Sequence, residues 1–231
     1  MKKSNNFQIS VVIPVYNEQS YLAACLESLT KQTLTPLEII VVDNNSTDAT
    51  AKIAKAFNVT LITEKKQGII PTRNTGFDKT KGDIIARTDA DTVVPEDWTK
   101  RLVTHFANEK VVGVTGPARY GKKVTPQVAT AIFSLNTLFF KNQGLFGPNM
   151  AIRKSAWNKA KDSLCTNEAD IHEDLDLSIH LNKLGKIAYD PKIVVDTSIR
   201  RIKNPKSFFV DYVLKWGRTL KQHSSDFVLK V

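Results

Sequence analysis

The chain has 231 residues, 42% of them hydrophobic and 24% charged, which excludes a disordered or collagen-like protein and leaves room for a substantial core with a formed ligand cleft. Its two cysteines, Cys25 and Cys165, have neither the density of a disulfide scaffold nor the spacing of a metal site, so a reducing, cytoplasmic setting is expected. The formal net charge of +10 is uneven: from Arg200 onward eight basic residues face two acidic ones, so the tail is the basic object and an anionic partner is expected near it.

The start, Met1-Lys2-Lys3 followed by polar Ser4 to Gln8, lacks the apolar run and cleavage site of a secretory leader. Ile9 to Val15 has the continuous apolar character of a buried strand, and Leu22, Leu26 and Leu29 then recur at helical spacing. Leu37 to Val42, Val59 to Thr63 and Gly82 to Arg87 predict further strands, separated by helices over Thr47 to Phe57 and around Arg73 to Lys79. Ile- and Val-rich strands alternating with helices predict an open, mostly parallel, twisted α/β sheet with helices on both faces.

Beyond Pro95 the pattern predicts a helix over Glu96 to Phe106, a strand over Val111 to Val114, and an apolar helix opening at Thr125-Pro126. The richest apolar stretch, Val128 to Phe140, is interrupted by polar residues and falls short of the roughly 18 a membrane span requires. A loop over Gly144 to Asn149, a helix from Glu173 to Gly185 and a strand over Ile193 to Val195 follow. From Pro205 to Gln222, Phe209, Val213, Trp216 and Leu220 form one stripe, predicting an amphipathic C-terminal helix with Lys215, Arg218 and Lys221 on other faces.

In such sheets ligands bind beyond the carboxyl ends of the strands. The residues there are Tyr16-Asn17-Glu18, Asp43 with Asn44 to Asp48, and Asp89-Ala90-Asp91. No Gly-x-Gly-x-x-Gly or Gly-Lys-Ser/Thr loop is present, so a bound nucleotide would have to be held by side chains and a metal. Asp89 and Asp91 can serve a ribose and a divalent cation, Mg²⁺ or Mn²⁺, or can simply form a turn. Asp43 either accepts the imide N–H of a uracil ring or belongs to the cap of the next helix. Gly144 to Asn149 is either a plain turn or a loop over the substrate, and His180 and His223 occupy unremarkable helical positions.

Together these segments resemble glycosyltransferase family 2, whose domain has the GT-A fold. The resemblance runs from Ile9 to about Arg201 through Val12 to Glu18, Ile40 to Asp48, Gly68 with Arg73 to Gly76, Gly82-Asp83, Asp89 to Asp91, Gly147 to Arg153 and Glu173 to Leu177. It implies a GT-A domain over 7–201, with a nucleotide-binding half to about 94 and an acceptor-side half from about 95. Residues 202–231 would then be a basic helical extension. It further implies that Pro14, Tyr16, Glu18, Asp43, Arg73, Asp89, Ala90 and Asp91 bind a nucleotide-sugar donor, with Asp91 at the metal. Asn149 and Glu173 would lie on the acceptor or sugar side.

Asp174 is the implied general base of an inverting transfer to a hydroxyl acceptor, with Glu173 and His172 as alternatives. The Gln-x-x-Arg-Trp signature of processive synthases is missing, which implies transfer of one sugar. The His of many relatives near the last strand is also missing, leaving Asp196 as a candidate replacement in the metal site. The basic tail suits a docked helix, peripheral contact with an anionic membrane that would serve a lipid-linked acceptor, or Arg200, Arg201 and Arg218 reaching the donor diphosphate. Rival readings are a sugar-phosphate nucleotidyltransferase and a non-catalytic polyanion binder; no nucleic acid is expected, because no binding motif accompanies the charge.

Overall fold

The computed structural model describes residues 7–121, 144–200 and 214–224. The expected helix from Thr125-Pro126 with its Val128 to Phe140 run, Arg201, and Phe209 and Val213 of the expected C-terminal helix lie outside them. The strands are β1 (Ile9–Val15), β2 (Glu38–Asp43), β3 (Thr60–Thr63), β4 (Ile84–Arg87), β5 (Thr92–Val93), β6 (Val111–Thr115), β7 (Ala118–Tyr120), β8 (Met150–Arg153), β9 (Lys186–Tyr189) and β10 (Val195–Thr197). The α-helices are α1 (Leu22–Thr30), α2 (Thr50–Lys55), α3 (Ile69–Lys79), α4 (Trp98–His105), α5 (Lys154–Ala160), α6 (Glu173–Asn182) and α7 (Lys215–Gln222).

Seven strands form the main sheet in the order β3-β2-β1-β4-β8-β6-β9. All run parallel except β8, which pairs antiparallel with both β4 and β6. The interior strand β1 is buried along its full length, as its unbroken apolar run demands of a strand covered on both faces. Ile9, Val11, Ile13 and Val15 face a core built with Leu22, Cys25, Leu26 and Leu29 of α1 and Trp98 and Leu102 of α4. Val12 turns to the opposite core, with Phe77 of α3, Trp157 of α5 and Leu177 and Leu181 of α6. Helices therefore cover both faces, as expected, and each buried Val, Leu or Ile in them contributes roughly 1.5–3 kcal/mol.

Two local features set the positions of the strand ends. Gly76 lets α3 lie directly on the sheet, since a Cβ there would sit 2.4 Å from Val12 Cγ1 and 2.9 Å from Val42 Cγ2. Helix α3 begins at Ile69, four residues before the expected helix, with Pro71 in its first turn where a missing N–H leaves no intrahelical bond unmade. Short β8 sets Met150 opposite Arg87, which brings the 3₁₀ turn Gly147–Asn149 beside the end of β4.

A second, three-stranded sheet in the order β5-β10-β7 packs at the same edge. Its strand β10 is displaced by two residues from the expected Ile193 to Val195, with Val195 and Thr197 buried and Asp196 exposed between them. The C-terminal helix α7 docks on α6 through Trp216 and Leu220 against Leu175 and Ile179, while Arg218 and Lys221 are exposed. Among the described residues no helix is long and apolar enough to cross a membrane.

Candidate active site

The carboxyl ends of β1, β2 and β4 converge. Val15 pairs with Asp43 and Val12 with Arg87, so the segments that follow these strands form one edge. The loops after β1 and β2 are stitched together: Asn17 N–H donates to Ser46 Oγ (2.9 Å), Thr47 N–H to Asn17 Oδ1 (2.8 Å) and Glu18 N–H to Thr50 Oγ1 (2.7 Å). Asn17 and Asn45 take positive φ, 54° and 64°, a conformation Asn tolerates better than most side chains. Pro14 is buried beneath this ledge, and the Tyr16 ring is 51% exposed above it. Asp43 is buried and accepts the Ser46 N–H at 3.1 Å, which closes a turn; α2 begins later, with Ala49 at its N-cap and no side-chain cap, so Asp43 does not cap that helix.

Deeper in the cleft is a cluster of three carboxylates and two guanidiniums. Arg87, at the end of β4, is 2% exposed and donates to Glu173 Oε1 (2.5 Å), Asp174 Oδ1 (3.1 Å) and Asp89 Oδ1 (3.2 Å). Arg73 from α3, 1% exposed, donates to the other oxygen of Glu173 at 2.5 Å. Glu173 and Asp174 come from the first turn of α6, whose N-terminal dipole favours acidic groups. Asp174 Oδ2 accepts the backbone N–H of Gly147 at 2.9 Å.

With three acids and two bases nearly out of water, one carboxylate is under-compensated. That group is Asp174: burial, then the neighbouring Glu173 charge, raise its pKa to about 7 against the opposing pull of Arg87 and the Gly147 N–H. Burial also pushes Glu173 up, but Arg87 and Arg73 outweigh it and hold this carboxyl at about 2. Burial alone would lower the pKa of Arg87, yet Glu173, Asp174 and Asp89 raise it, so its charge is permanent.

Asp91 faces the other way along the edge. Its carboxylate accepts from Ser198 Oγ (2.6 Å), Arg200 Nε (2.9 Å) and Thr197 Oγ1 (3.4 Å). The Arg200 guanidinium also pairs with Glu18 and stacks 4.9 Å from the centre of the Tyr21 ring. One protein cation thus bridges Glu18 and Asp91. A site of carboxylate and hydroxyl oxygens that already holds a positive charge fits a hard divalent cation such as Mg²⁺ or Mn²⁺.

Several expected positions also make contacts within the fold. Asn149 is fully buried: its Nδ2 donates to the carbonyls of Pro117 (3.0 Å) and Ile193 (2.7 Å), and its Oδ1 accepts from Trp98 Nε1 (2.9 Å), so it clasps the core behind the edge. Arg73 pairs with Glu173, whose other oxygen pairs with Arg87, and Arg73 Nε donates to Asn74 Oδ1 at 3.0 Å. Asp196 lies on the outward side of β10, 56% exposed and paired with Arg119, because strand alternation turns Thr197 toward Asp91 in its place. Ala90 is buried in the core, leaving only its backbone to the cleft.

Two further groups complete the cluster. Arg87 looked like the polar end of a strand; its only sequence signal is a charge directly after Ile84-Ile85-Ala86 and two positions before Asp89. The other is the Gly147 N–H. A Cβ at that position would sit 2.8 Å from Asp174 Oδ2 and 3.0 Å from Arg87 Cζ, so the carboxylate can approach only a glycine.

The family model described as Glycosyl transferase family 2 matches residues 10–159 of the chain. Among curated relatives, the glycosyltransferase AglE of Haloferax volcanii is 36% identical over 120 residues, 48% of this chain and 40% of that protein. Among solved structures, the mannosyltransferase PcManGT from Pyrobaculum calidifontis in complex with GDP-Man and Mn²⁺ superposes with a TM-score of 0.70 at 18% identity, covering 98% of this chain and 77% of that one. Residues 1–349 of S. aureus TarS in complex with UDP-GlcNAc give a TM-score of 0.65 at 18% identity, with 83% and 58% covered. These two likenesses concern the fold. The matched segments span 14% to 40% of the length of the first three curated relatives.

Proposed function

This chain belongs to glycosyl transferase family 2, and from that membership we propose that it transfers one sugar from a nucleotide-diphosphate donor, a uridine diphosphate sugar, to a hydroxyl acceptor with inversion. The observation that carries the reading is that one buried guanidinium, Arg87, holds both Asp89 and Asp174. On this reading a donor-side carboxylate and a base near its working pKa belong to one rigid unit.

In this reading Tyr16 stacks on the nucleobase and Asp43 accepts a ring N–H, which uracil offers and cytosine does not. Asp89 takes the ribose hydroxyls. Asp91, with Ser198 and Glu18 beside it, would hold a divalent cation, Mn²⁺ or Mg²⁺, whose charge stabilises the departing diphosphate. The neighbour bound to GDP-Man and Mn²⁺ supports a cation at this edge, and the one bound to UDP-GlcNAc supports a uridine donor. Arg200 is placed to exchange its carboxylate partners for the diphosphate, to which guanidinium geometry is suited.

Asp174 removes the acceptor proton while the acceptor oxygen bonds to the anomeric carbon and the anomeric C–O electrons leave with the diphosphate. The Gly147 N–H and Arg87 fix the carboxylate, and burial keeps it basic enough to accept a proton near neutral pH. The exposed Arg218 and Lys221 on α7 support an acceptor presented at an anionic membrane surface, such as a lipid-linked one.

A panel of uridine, guanosine and cytidine diphosphate sugars tested by thermal shift with Mn²⁺ or Mg²⁺, followed by measurement of nucleoside diphosphate release, tests the proposal. Stabilisation by a uridine donor and cation, with release, supports it. No stabilisation by any donor opposes it.

A further inference from the structure

Two residues past Asp174, Asp176 leaves helix α6 about 200° around its axis, on a face that the proposed transfer does not use. It meets two histidines there. One is His180, four residues along the same helix, and the other is His223, which follows α7. Asp176 is 1% exposed, His180 12% and His223 11%.

The geometry is that of a ligand set. Asp176 Oδ2 is anchored by the backbone N–H of Cys165 at 3.0 Å. Its other oxygen, Oδ1, lies 2.9 Å from His223 Nε2 and 3.7 Å from His180 Nδ1. One donor atom from each of the three residues lies within 4.8 Å of the others. Metal–ligand bonds of about 2.0–2.1 Å at tetrahedral angles place donor atoms about 3.3 Å apart, between the two measured separations. The imidazole rings stand edge to face at 87°, with centroids 5.1 Å apart. Two imidazoles bound tetrahedrally would have centres about 5.2 Å apart, from the same bond length plus the roughly 1.1 Å between ring nitrogen and ring centre.

His180 Nδ1 also lies 2.9 Å from the backbone carbonyl of Asp176, a bond the ring would give up to place Nδ1 on a metal. The slight exposure of both rings provides an entry path for the ion.

We propose that Asp176, His180 and His223 bind a zinc ion that ties the C-terminal helix to helix α6, the helix whose first turn carries Asp174. Two imidazoles and one carboxylate suit Zn²⁺ and set the site apart from the oxygen-only edge at Asp91, which suits Mg²⁺ or Mn²⁺. Zinc would take the place of the hydrogen bond between His223 and Asp176, with His223 ligating through Nε2 and keeping its ring proton on Nδ1.

Zn²⁺ titration of the chelator-treated full chain by calorimetry, with Mg²⁺ kept in excess, tests this without any assay of transfer, so its failure and that of the transferase reading are separable. The expected result is one Zn²⁺ per chain, a raised melting temperature, and retention of binding in Asp91→Asn. His180→Asn and His223→Asn should each weaken binding by more than the about 10- to 100-fold that outer-shell changes cost. Co²⁺ added to the unmutated chain should give the intense visible absorption of a tetrahedral site, a readout that needs no variant to fold. Absence of stoichiometric Zn²⁺, a weak octahedral Co²⁺ spectrum, or unchanged affinity in both histidine variants would overturn the proposal.

Discussion

The backbone N–H of Gly147 points at Asp174 Oδ2 from 2.9 Å, and a Cβ on Gly147 would intrude to 2.8 Å from that same oxygen. Gly147→Ala must therefore displace the carboxylate or the turn. Displacements of about 1 Å at a reacting group cost on the order of 100-fold, so turnover of Gly147→Ala is expected to fall by about that factor with donor affinity retained. Gly144→Ala is the control, because its Cβ would meet only Ser178 Oγ at 4.0 Å. Steady-state rates and donor titrations of the two variants check this.

Arg87→Lys keeps a charge but loses the fork that reaches three carboxylates. A single ammonium cannot reproduce those bonds, and the expected loss of folding stability is about 1–3 kcal/mol. With its counter-charge weakened, Asp174 should titrate higher than it does in the unmutated chain. Urea unfolding, together with the pH dependence of donor turnover, measures both effects.

How much of this was legible in the sequence depends on where the information resides. Strands β1, β2 and β4 were readable because burial on both faces imposes unbroken runs of Ile and Val. Strand β8 is four residues, Met150 to Arg153, wedged antiparallel between parallel neighbours, and β5 and β7 are shorter still. Segments of that length carry no periodicity, and their pairing is decided by tertiary contacts. Asp89 and Asp91 stand out by spacing and by the strand that precedes them, whereas Asp174 is marked only by the resemblance to the family. Arg87 does not stand out, because its burial depends on carboxylates 86 and 87 positions away. Asp196 misled because a two-residue displacement of β10 and its alternation decide which side chain turns inward.

Arg200 bridges Glu18 and Asp91, so a divalent cation must compete with it. Arg200→Ala is expected to tighten Mn²⁺ binding about tenfold in the absence of nucleotide, an effect of roughly 1.4 kcal/mol. Electron paramagnetic resonance of free Mn²⁺ during titration gives the affinity directly. Equal or weaker binding by the variant would show that the guanidinium does not occupy the cation's place.

The two adjacent carboxyls of α6 make opposite contributions to stability. Glu173, held at about 2 when folded, stabilises the fold above its ordinary pKa of 4.5, and this contribution is lost as pH falls from there toward 2. Asp174 is raised from 3.8 to about 7, so the folded state holds its proton more tightly and stability declines as pH rises through that window. Asp174→Asn removes the decline. Its melting temperature should match that of the unmutated chain near pH 4 and exceed it by about 2–4 °C at pH 8, as a gain on the order of 1 kcal/mol implies. Melting curves across that range test the sign.

The most direct measurement is nucleoside diphosphate release from the donor that stabilises the chain, compared between the unmutated protein and Asp174→Asn with donor affinity measured alongside. Loss of the base should lower release by about 10²–10⁴-fold while donor affinity stays unchanged. Near-normal release by Asp174→Asn would contradict the assignment of Asp174 and, with it, the proposed mechanism of the site.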